Sequence, residues 1–337
     1  MVVIMKPGTS QNEIRKLAAK FEAENLKVGI TNGVGCSILG LVGDTAHIDI
    51  DKILLNEYVE RVMRVSEPYK KANRKFHPED TIVDVNGVKV GGGNFAVMAG
   101  PCSVESEAQI VEVAKAVQSS GAAMLRGGAF KPRTSPYSFQ GMGVQGLKLL
   151  LEAKAETGLP IVTELMSPKY CELFEEKVDL VQIGARNMQN FRLLKAVGRS
   201  GVPVLLKRGI ASTIEEWLDA AEYIMSEGNY NVVLCERGIR TFETATRNTL
   251  DISAVPVIKE RSCLPIIVDP SHAAGKSAYI QSLSLAAAAC GADGLIIEVH
   301  PCPKCAMSDA KQQLTPAQYA ELFAEVRRVA QAVGREV

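Results

Sequence analysis

Eight short apolar runs in the 337-residue chain each end on a side chain that can bind, ionise or react. The runs lie at 95–99, 122–125, 161–163, 180–183, 204–206, 232–234, 266–268 and 295–297. Cys102, Arg126, Glu164, Arg186, Lys207, Glu236 with Arg237, His272 and Glu298 follow them in that order. A chain that merely turned at these points would carry Ser, Asn and Gly at many of them. Lys131-Pro132-Arg133-Thr134-Ser135 adds two cations and two hydroxyls after the second run. Together with Arg126, Arg186, Lys207, Arg208 and Arg237, these cations would repel one another at one site unless anions filled it. Arginine grips phosphate and carboxylate through a bidentate fork, so the set suits two phosphates and a carboxylate. One or two of the cations are expected to pair with Glu164, Glu236 or Asp269 instead.

Cys102, His272, Glu298 and Asp309 form a second constellation. Their spacing is not a metal signature, but three of them end the first, seventh and eighth runs and Asp309 follows the eighth. A thiolate, an imidazole and two carboxylates mix soft and hard donors, which is compatible with Mn, Fe, Zn or Co and selects none of them. A nucleophilic Cys102–His272 pair is the competing reading, although no helix N-terminus directly follows Cys102 to lower its pKa. Lys207 among other cations also admits a Schiff-base aldolase. Cys302-Pro303-Lys304-Cys305 lacks the second pair that a zinc site needs, so it reads as two thiols in the loop between Glu298 and Asp309.

These residues need a frame. From residue 95 onward the apolar runs alternate with amphipathic helical stretches, giving eight βα units in roughly 240 residues, the repeat of a TIM (β/α)8 barrel. A doubly wound sheet is disfavoured, because no Gly-x-Gly-x-x-Gly follows the first run. Residues 1–66 read β-α-β-β-α-β, the order of a ferredoxin-like α+β domain. A charged, proline-bounded linker spans 67–81. A hairpin with an Asn86-Gly87 turn then opens the catalytic stretch 82–337.

Composition narrows the function classes. A 47% hydrophobic and 23% charged chain can bury a sizeable core. With 38 basic residues against 38 acidic ones and 5% aromatics, nucleic-acid binding is not expected. The longest apolar stretch, 285–299, is cut by Asp293 and Glu298, so no membrane span is expected either. Without a secretory signal, a cytoplasmic location and reduced cysteines are expected.

Several motifs together resemble the 3-deoxy-D-arabino-heptulosonate 7-phosphate (DAHP) synthases, in the short-barrel subclass with an N-terminal ferredoxin-like domain. They are Gly100-Pro101-Cys102-Ser103, Leu125-Arg126-Gly127-Gly128, Lys131-Pro132-Arg133-Thr134-Ser135, Gln182-Ile183-Gly184-Ala185-Arg186 and Leu206-Lys207-Arg208-Gly209. Cys235-Glu236-Arg237-Gly238, Asp269-Pro270-Ser271-His272, Glu298-Val299-His300-Pro301 and Ser308-Asp309 complete the set.

The resemblance implies a metal-dependent, aldol-type condensation of phosphoenolpyruvate with erythrose 4-phosphate, the first step of the shikimate pathway. It assigns Cys102, His272, Glu298 and Asp309 to a divalent metal. Arg126, Lys131, Arg186, Lys207 and Arg237, with the amide of Ala185, are implied for phosphoenolpyruvate. Arg133 and Thr134 are implied for erythrose 4-phosphate. Glu164 with Lys207 would position the attacking water; metal-bound water or Lys131 would protonate the new alkoxide, with Lys131 as an electrostatic anchor the alternative.

The related 3-deoxy-D-manno-octulosonate 8-phosphate synthases share the phosphate rim but carry an Asn-containing segment where this chain has Pro132-Arg133-Thr134, which favours the four-carbon aldehyde. The resemblance further implies a tetramer and an aromatic amino acid effector at the N-terminal domain. There Gly29 offers no side chain and Thr31 keeps a hydroxyl. An amino-acid-binding protein on an inactive barrel is a third reading, opposed by the complete rim.

Overall fold

The computed structural model describes the whole chain apart from residues 34, 35, 46, 66 and 134. It divides into two compact units, Met1–Glu79 with Arg261–Cys263, and Asp80–Glu260 with Leu264–Val337.

In the first unit, β1 (Val2–Met5), β2 (Lys27–Asn32), β3 (Ser37–Val42) and β4 (Val59–Met63) form an antiparallel sheet in the order β2-β3-β1-β4. The helix Gln11–Ala23 is capped by Ser10 and buries Ile14, Leu17, Ala18 and Phe21 at helical spacing against that sheet. With the short helix Ile50–Leu54, this is the expected ferredoxin-like α+β fold. The second helix is only five residues long. Asn56 Oδ1 accepts from Tyr58 N (3.0 Å), a local turn that competes with helix continuation. The stretch expected as a linker is also less solvated than its charge implies. Tyr69, Ala72 and Phe76 are buried, and Phe76 packs with Val2, Ile38 and Val65.

The second unit is the expected TIM barrel. Its strands are β7 (Ala96–Gly100), β8 (Met124–Arg126), β9 (Ile161–Glu164), β10 (Leu180–Ile183), β11 (Val204–Lys207), β12 (Val232–Glu236), β13 (Ile266–Val268) and β14 (Gly294–Glu298). All pair in parallel, and β14 closes on β7 from Gly294↔Ala96 to Glu298↔Gly100. Every residue of these strands is buried, which is why they read as continuous apolar runs rather than alternating ones.

The hairpin β5 (Val83–Val85) and β6 (Val88–Val90) turns through Asn86 and Gly87, both at positive φ, as a primed turn requires. Val83, Val85 and Val90 join one cluster with Ala96, Met124 and Leu180, the first residues of their strands. The hairpin therefore plugs the N-terminal end of the barrel and leaves the C-terminal end open for chemistry.

Candidate active site

The strands end at a polar cavity of about 450 Å³. Its lining includes Arg126, Lys131, Arg133, Arg186, Lys207, Arg237, Arg240 and Arg247, opposed by Glu164 and Asp309. Pro132, Ser135, Gly184, Ala185 and His272 also line it, whereas Cys102 and Glu298, anticipated at the same mouth, are buried and not part of the lining. Thr134 lies outside the described residues.

Among the described residues, three lining groups carry buried polar atoms without a hydrogen-bond partner, namely Arg126 Nε, Arg237 Nη1 and Glu164 Oε1. Such atoms are costly in a folded interior unless a ligand satisfies them. Burial lowers the Arg237 guanidinium's pKa, and the nearby Asp269 charge only partly offsets this. Burial pushes the Glu164 carboxyl up, against the pull of Lys131, Lys207 and Arg126. Glu164 Oε2 accepts from Gln182 Nε2 (3.1 Å), which fixes the carboxyl over Gly184. A Cβ at residue 184 would stand 2.1 Å from Glu164 Oε1, so the glycine makes room for the acid.

Two of the cations pair with the expected carboxylates, Lys207 with Asp269 and Arg208 with Glu236, and others pair with Glu298 and Asp309. Arg126 Nη1 lies 2.9 Å from Glu298 Oε1, Lys207 Nζ lies 2.5 Å from Asp269 Oδ2, and Arg247 Nη1 lies 3.2 Å from Asp309 Oδ2. Arg208 does not face the mouth at all. Its guanidinium bridges Glu236 Oε2 (2.9 Å) and Asp251 Oδ2 (2.8 Å). Successive residues at a strand end point to opposite sides, so β12 presents Arg237 to the cavity and turns Glu236 away. Arg240 and Arg247 replace Arg208 in the lining, and sequence reasoning missed both. They sit in the long loop after β12, three and ten residues past Arg237, where no apolar run marks them.

The second constellation does assemble. One donor atom each from Cys102, Glu298 and Asp309 lies within 4.8 Å of the others. His272, on the short helix Pro270–Ala274, brings Nε2 to 3.5 Å from Glu298 Oε1 and 3.8 Å from Asp309 Oδ2. Its Nδ1 lies 2.7 Å from Asp269 Oδ2. Burial alone would raise the Asp269 carboxyl, but His272 and Lys207 hold it well below its usual range, so it is ionised. An ionised carboxylate only accepts, hence Nδ1 carries the proton, and burial lowers the imidazole's own pKa, which favours the neutral ring with a lone pair on Nε2. A lone pair and two carboxylates facing one another, with a thiol beside them, fit a divalent cation. The carboxylate behind the histidine is the usual support for such a ligand.

The Cys–His nucleophile reading fails on the same geometry. Burial, with Glu298 adding, pushes the Cys102 thiol up to about 11. The partners of Cys102 Sγ are Lys131 Nζ at 3.1 Å and Asp309 Oδ2 at 3.6 Å, while His272 Nε2 faces the Glu298 and Asp309 carboxylates. The two thiols expected at Cys302 and Cys305 are instead paired as a disulfide. The single turn Pro303–Cys305 brings their Cα atoms to 5.4 Å, inside the bridging range.

The chain matches two family models, the DAHP synthase ferredoxin-like domain over residues 1–67 and the DAHP synthetase I family over residues 72–333. It is 50% identical, over all of both chains, to a phospho-2-dehydro-3-deoxyheptonate aldolase of Thermotoga maritima. It is 32% identical to a 2-dehydro-3-deoxyphosphooctonate aldolase of Syntrophotalea carbinolica, over 71% of this chain and 92% of that one. The crystal structure of the Thermotoga maritima DAHP synthase superposes with a TM-score of 0.80 over 100% of this chain and 98% of that chain. A truncated form of that enzyme covers 79% of this chain and 98% of its own, with a TM-score of 0.74. With one model covering the barrel and the other the ferredoxin-like domain before it, the chain belongs to the DAHP synthetase I family.

Proposed function

We propose that the chain is a 3-deoxy-7-phosphoheptulonate synthase, condensing phosphoenolpyruvate with D-erythrose 4-phosphate and releasing inorganic phosphate. The observation that carries this reading is the convergence of buried Arg237 and Glu164 atoms, without partners among the described residues, on a cavity lined by His272 and Asp309, the latter within 4.8 Å of the Cys102 and Glu298 donors.

Arg126, Lys131, Arg186, Lys207 and Arg237, with the Ala185 amide, hold phosphoenolpyruvate by its phosphate and carboxylate. Arg133 and Thr134 take the phosphate of the aldehyde substrate. Fixing both anions brings C3 of the enol within reach of the aldehyde carbon, converting a bimolecular encounter into a positioned one. C3 attacks that carbon, water adds at C2, and the C2–O bond to phosphate breaks in the collapse that follows. Glu164, whose carboxyl burial keeps easier to protonate, stands with Lys207 to orient that water and move its proton. Lys131, beside Cys102, either delivers a proton to the developing alkoxide or holds its charge.

A divalent ion of the Mn, Fe, Zn or Co type, held by Cys102, His272, Glu298 and Asp309, supplies Lewis-acid polarisation of the aldehyde oxygen when bound. Lys207 is ion-paired with Asp269 at 2.5 Å, which argues against a Schiff base, because an ammonium held by a carboxylate is not a nucleophile.

We further propose the division 1–66 regulatory domain, 67–81 connection and 82–337 catalytic barrel, with an aromatic amino acid as effector of the first. A cytoplasmic homo-oligomer, a tetramer by resemblance, completes the reading. Among the described residues, no helix is long and apolar enough to cross a membrane.

The deciding assay offers phosphoenolpyruvate with a four-carbon or a five-carbon aldose phosphate. Consumption is expected with erythrose 4-phosphate, abolished by a chelator and restored by divalent metal. Preference for the five-carbon sugar would transfer the chain to the octulosonate 8-phosphate reaction. A borohydride-trapped adduct without chelator sensitivity would replace the metal mechanism with an imine one.

A further inference from the structure

Behind the cation-site donors lies a buried pair of neutral side chains that none of the chemistry above uses. Gln312 and Gln313 are each 2% exposed. Gln312 closes the turn Ala310–Gln312 and Gln313 follows it; Asp309, just before the turn, sits at φ 47, and Gln312 N bonds back to Asp309 O (3.2 Å). Leu314 N then donates to Glu298 O (2.9 Å), so the loop returns alongside the end of β14 and sets both glutamines next to the carboxylate.

The contacts of Gln312 fix which way its amide points. Arg247 Nη1 lies 3.0 Å from Oε1, and a guanidinium can only donate. Nε2 is therefore turned the other way, where it donates to Glu298 Oε2 (2.7 Å) and lies 3.5 Å from Asp309 Oδ2. The amide thus ties Oε2 down and leaves Glu298 Oε1 to Arg126 Nη1 and His272 Nε2. Gln313 repeats the device one residue on. Its Oε1 accepts from Cys102 N (3.0 Å), and its Nε2 donates to Ser308 O (2.9 Å). One amide sets a carboxylate donor, and the next joins the backbone of Cys102 to the residue before Asp309.

We propose that Gln312 is a positioning residue of the cation site, holding the carboxylates of Glu298 and Asp309 in register, and that Gln313 does the same for Cys102. The assignment rests on the reading of these side chains as cation ligands. A neutral amide suits the task because it supplies a donor to a carboxylate and an acceptor to a guanidinium in one side chain. A glutamate of the same shape would set carboxylate against carboxylate.

The experiment is a Mn2+ titration of the metal-free full-length protein, with thermal unfolding of the same samples. Wild type is expected to bind one Mn2+ per chain. Gln312→Met and Gln312→Glu are expected to bind it about 10–100-fold more weakly, the range found when an outer partner of a metal ligand is lost. Activity of Gln312→Met should return at high Mn2+ with the KM for phosphoenolpyruvate little changed, which a folding defect would not produce. Gln313→Met should also weaken Mn2+ and keeps the test open if residue 312 tolerates no change. Mn2+ affinity within about twofold of wild type in all three variants would overturn the assignment while leaving the cation site standing. A wild-type protein that takes up no Mn2+ would overturn both.

Discussion

The two ends of the barrel are made by the same eight strands and have opposite characters. At the N-terminal end, Ala96, Met124 and Leu180 meet the hairpin valines in an apolar plug. At the C-terminal end the same strands release Arg126, Glu164, Lys207 and Arg237 into a polar cavity, with buried atoms that have no partner in the protein. Apolar burial contributes about 25 cal/mol per Å², whereas a gathered charge or an orphaned donor costs stability. One end therefore contributes stability, and the other gives some of it up for binding. Substitutions should separate the two: changes at the mouth should remove turnover and leave folding intact or improved, and changes at the plug should do the reverse.

The largest effect is expected for Cys102→Ala, which removes a donor to the cation. Turnover should fall by roughly 10³-fold or more in a metal-supplemented assay, with the unfolding temperature unchanged or raised. Preserved turnover would break the comparison at its most charged point. Arg237→Ala comes next. Deleting a buried, partnerless guanidinium should cut kcat/KM for phosphoenolpyruvate by about 10²-fold, and removing the orphan should stabilise the fold slightly. Unchanged kinetics would show that this arginine does not meet the substrate.

At the plug, Val85→Ala should destabilise by about 1–3 kcal/mol in denaturant titration with kcat untouched. Loss of kcat at full folding would mean the two ends are coupled. The smallest effect is expected at the hairpin turn. Gly87→Ala, at φ 90, should cost about 1 kcal/mol and leave all kinetic constants alone.

The difference between the ends also explains what could be read from the chain. Strands β7 to β14 announced themselves because both of their faces are buried, so runs such as Leu180–Ile183 carry little polar interruption. The strand-end residues of the mouth were readable for the same reason, since an Arg126 or Lys207 closing an apolar run stands out. What depends on side-chain direction was not readable. Arg208 and Arg237 look equivalent in sequence, yet one is locked onto Glu236 and Asp251 and the other lines the cavity with a buried Nη1 that has no partner among the described residues. Arg240 and Arg247 belong to a loop whose return to the mouth is a tertiary fact. Gln312 resembles any solvated loop residue until its amide is found between Arg247 and Glu298. The disulfide at Cys302 and Cys305 depends on a single helical turn that four residues of sequence do not specify.

Cobalt tests the mouth most directly, because a thiolate bound to Co2+ gives a charge-transfer absorption that nitrogen and oxygen ligands do not. Adding Co2+ to metal-free wild-type protein should produce that band at one equivalent, and Cys102→Ser should lose it while still binding the ion more weakly. A wild-type protein that binds Co2+ without the band, or a Cys102→Ser protein that keeps it, would contradict the convergence of residues 102, 272, 298 and 309 on a single ion.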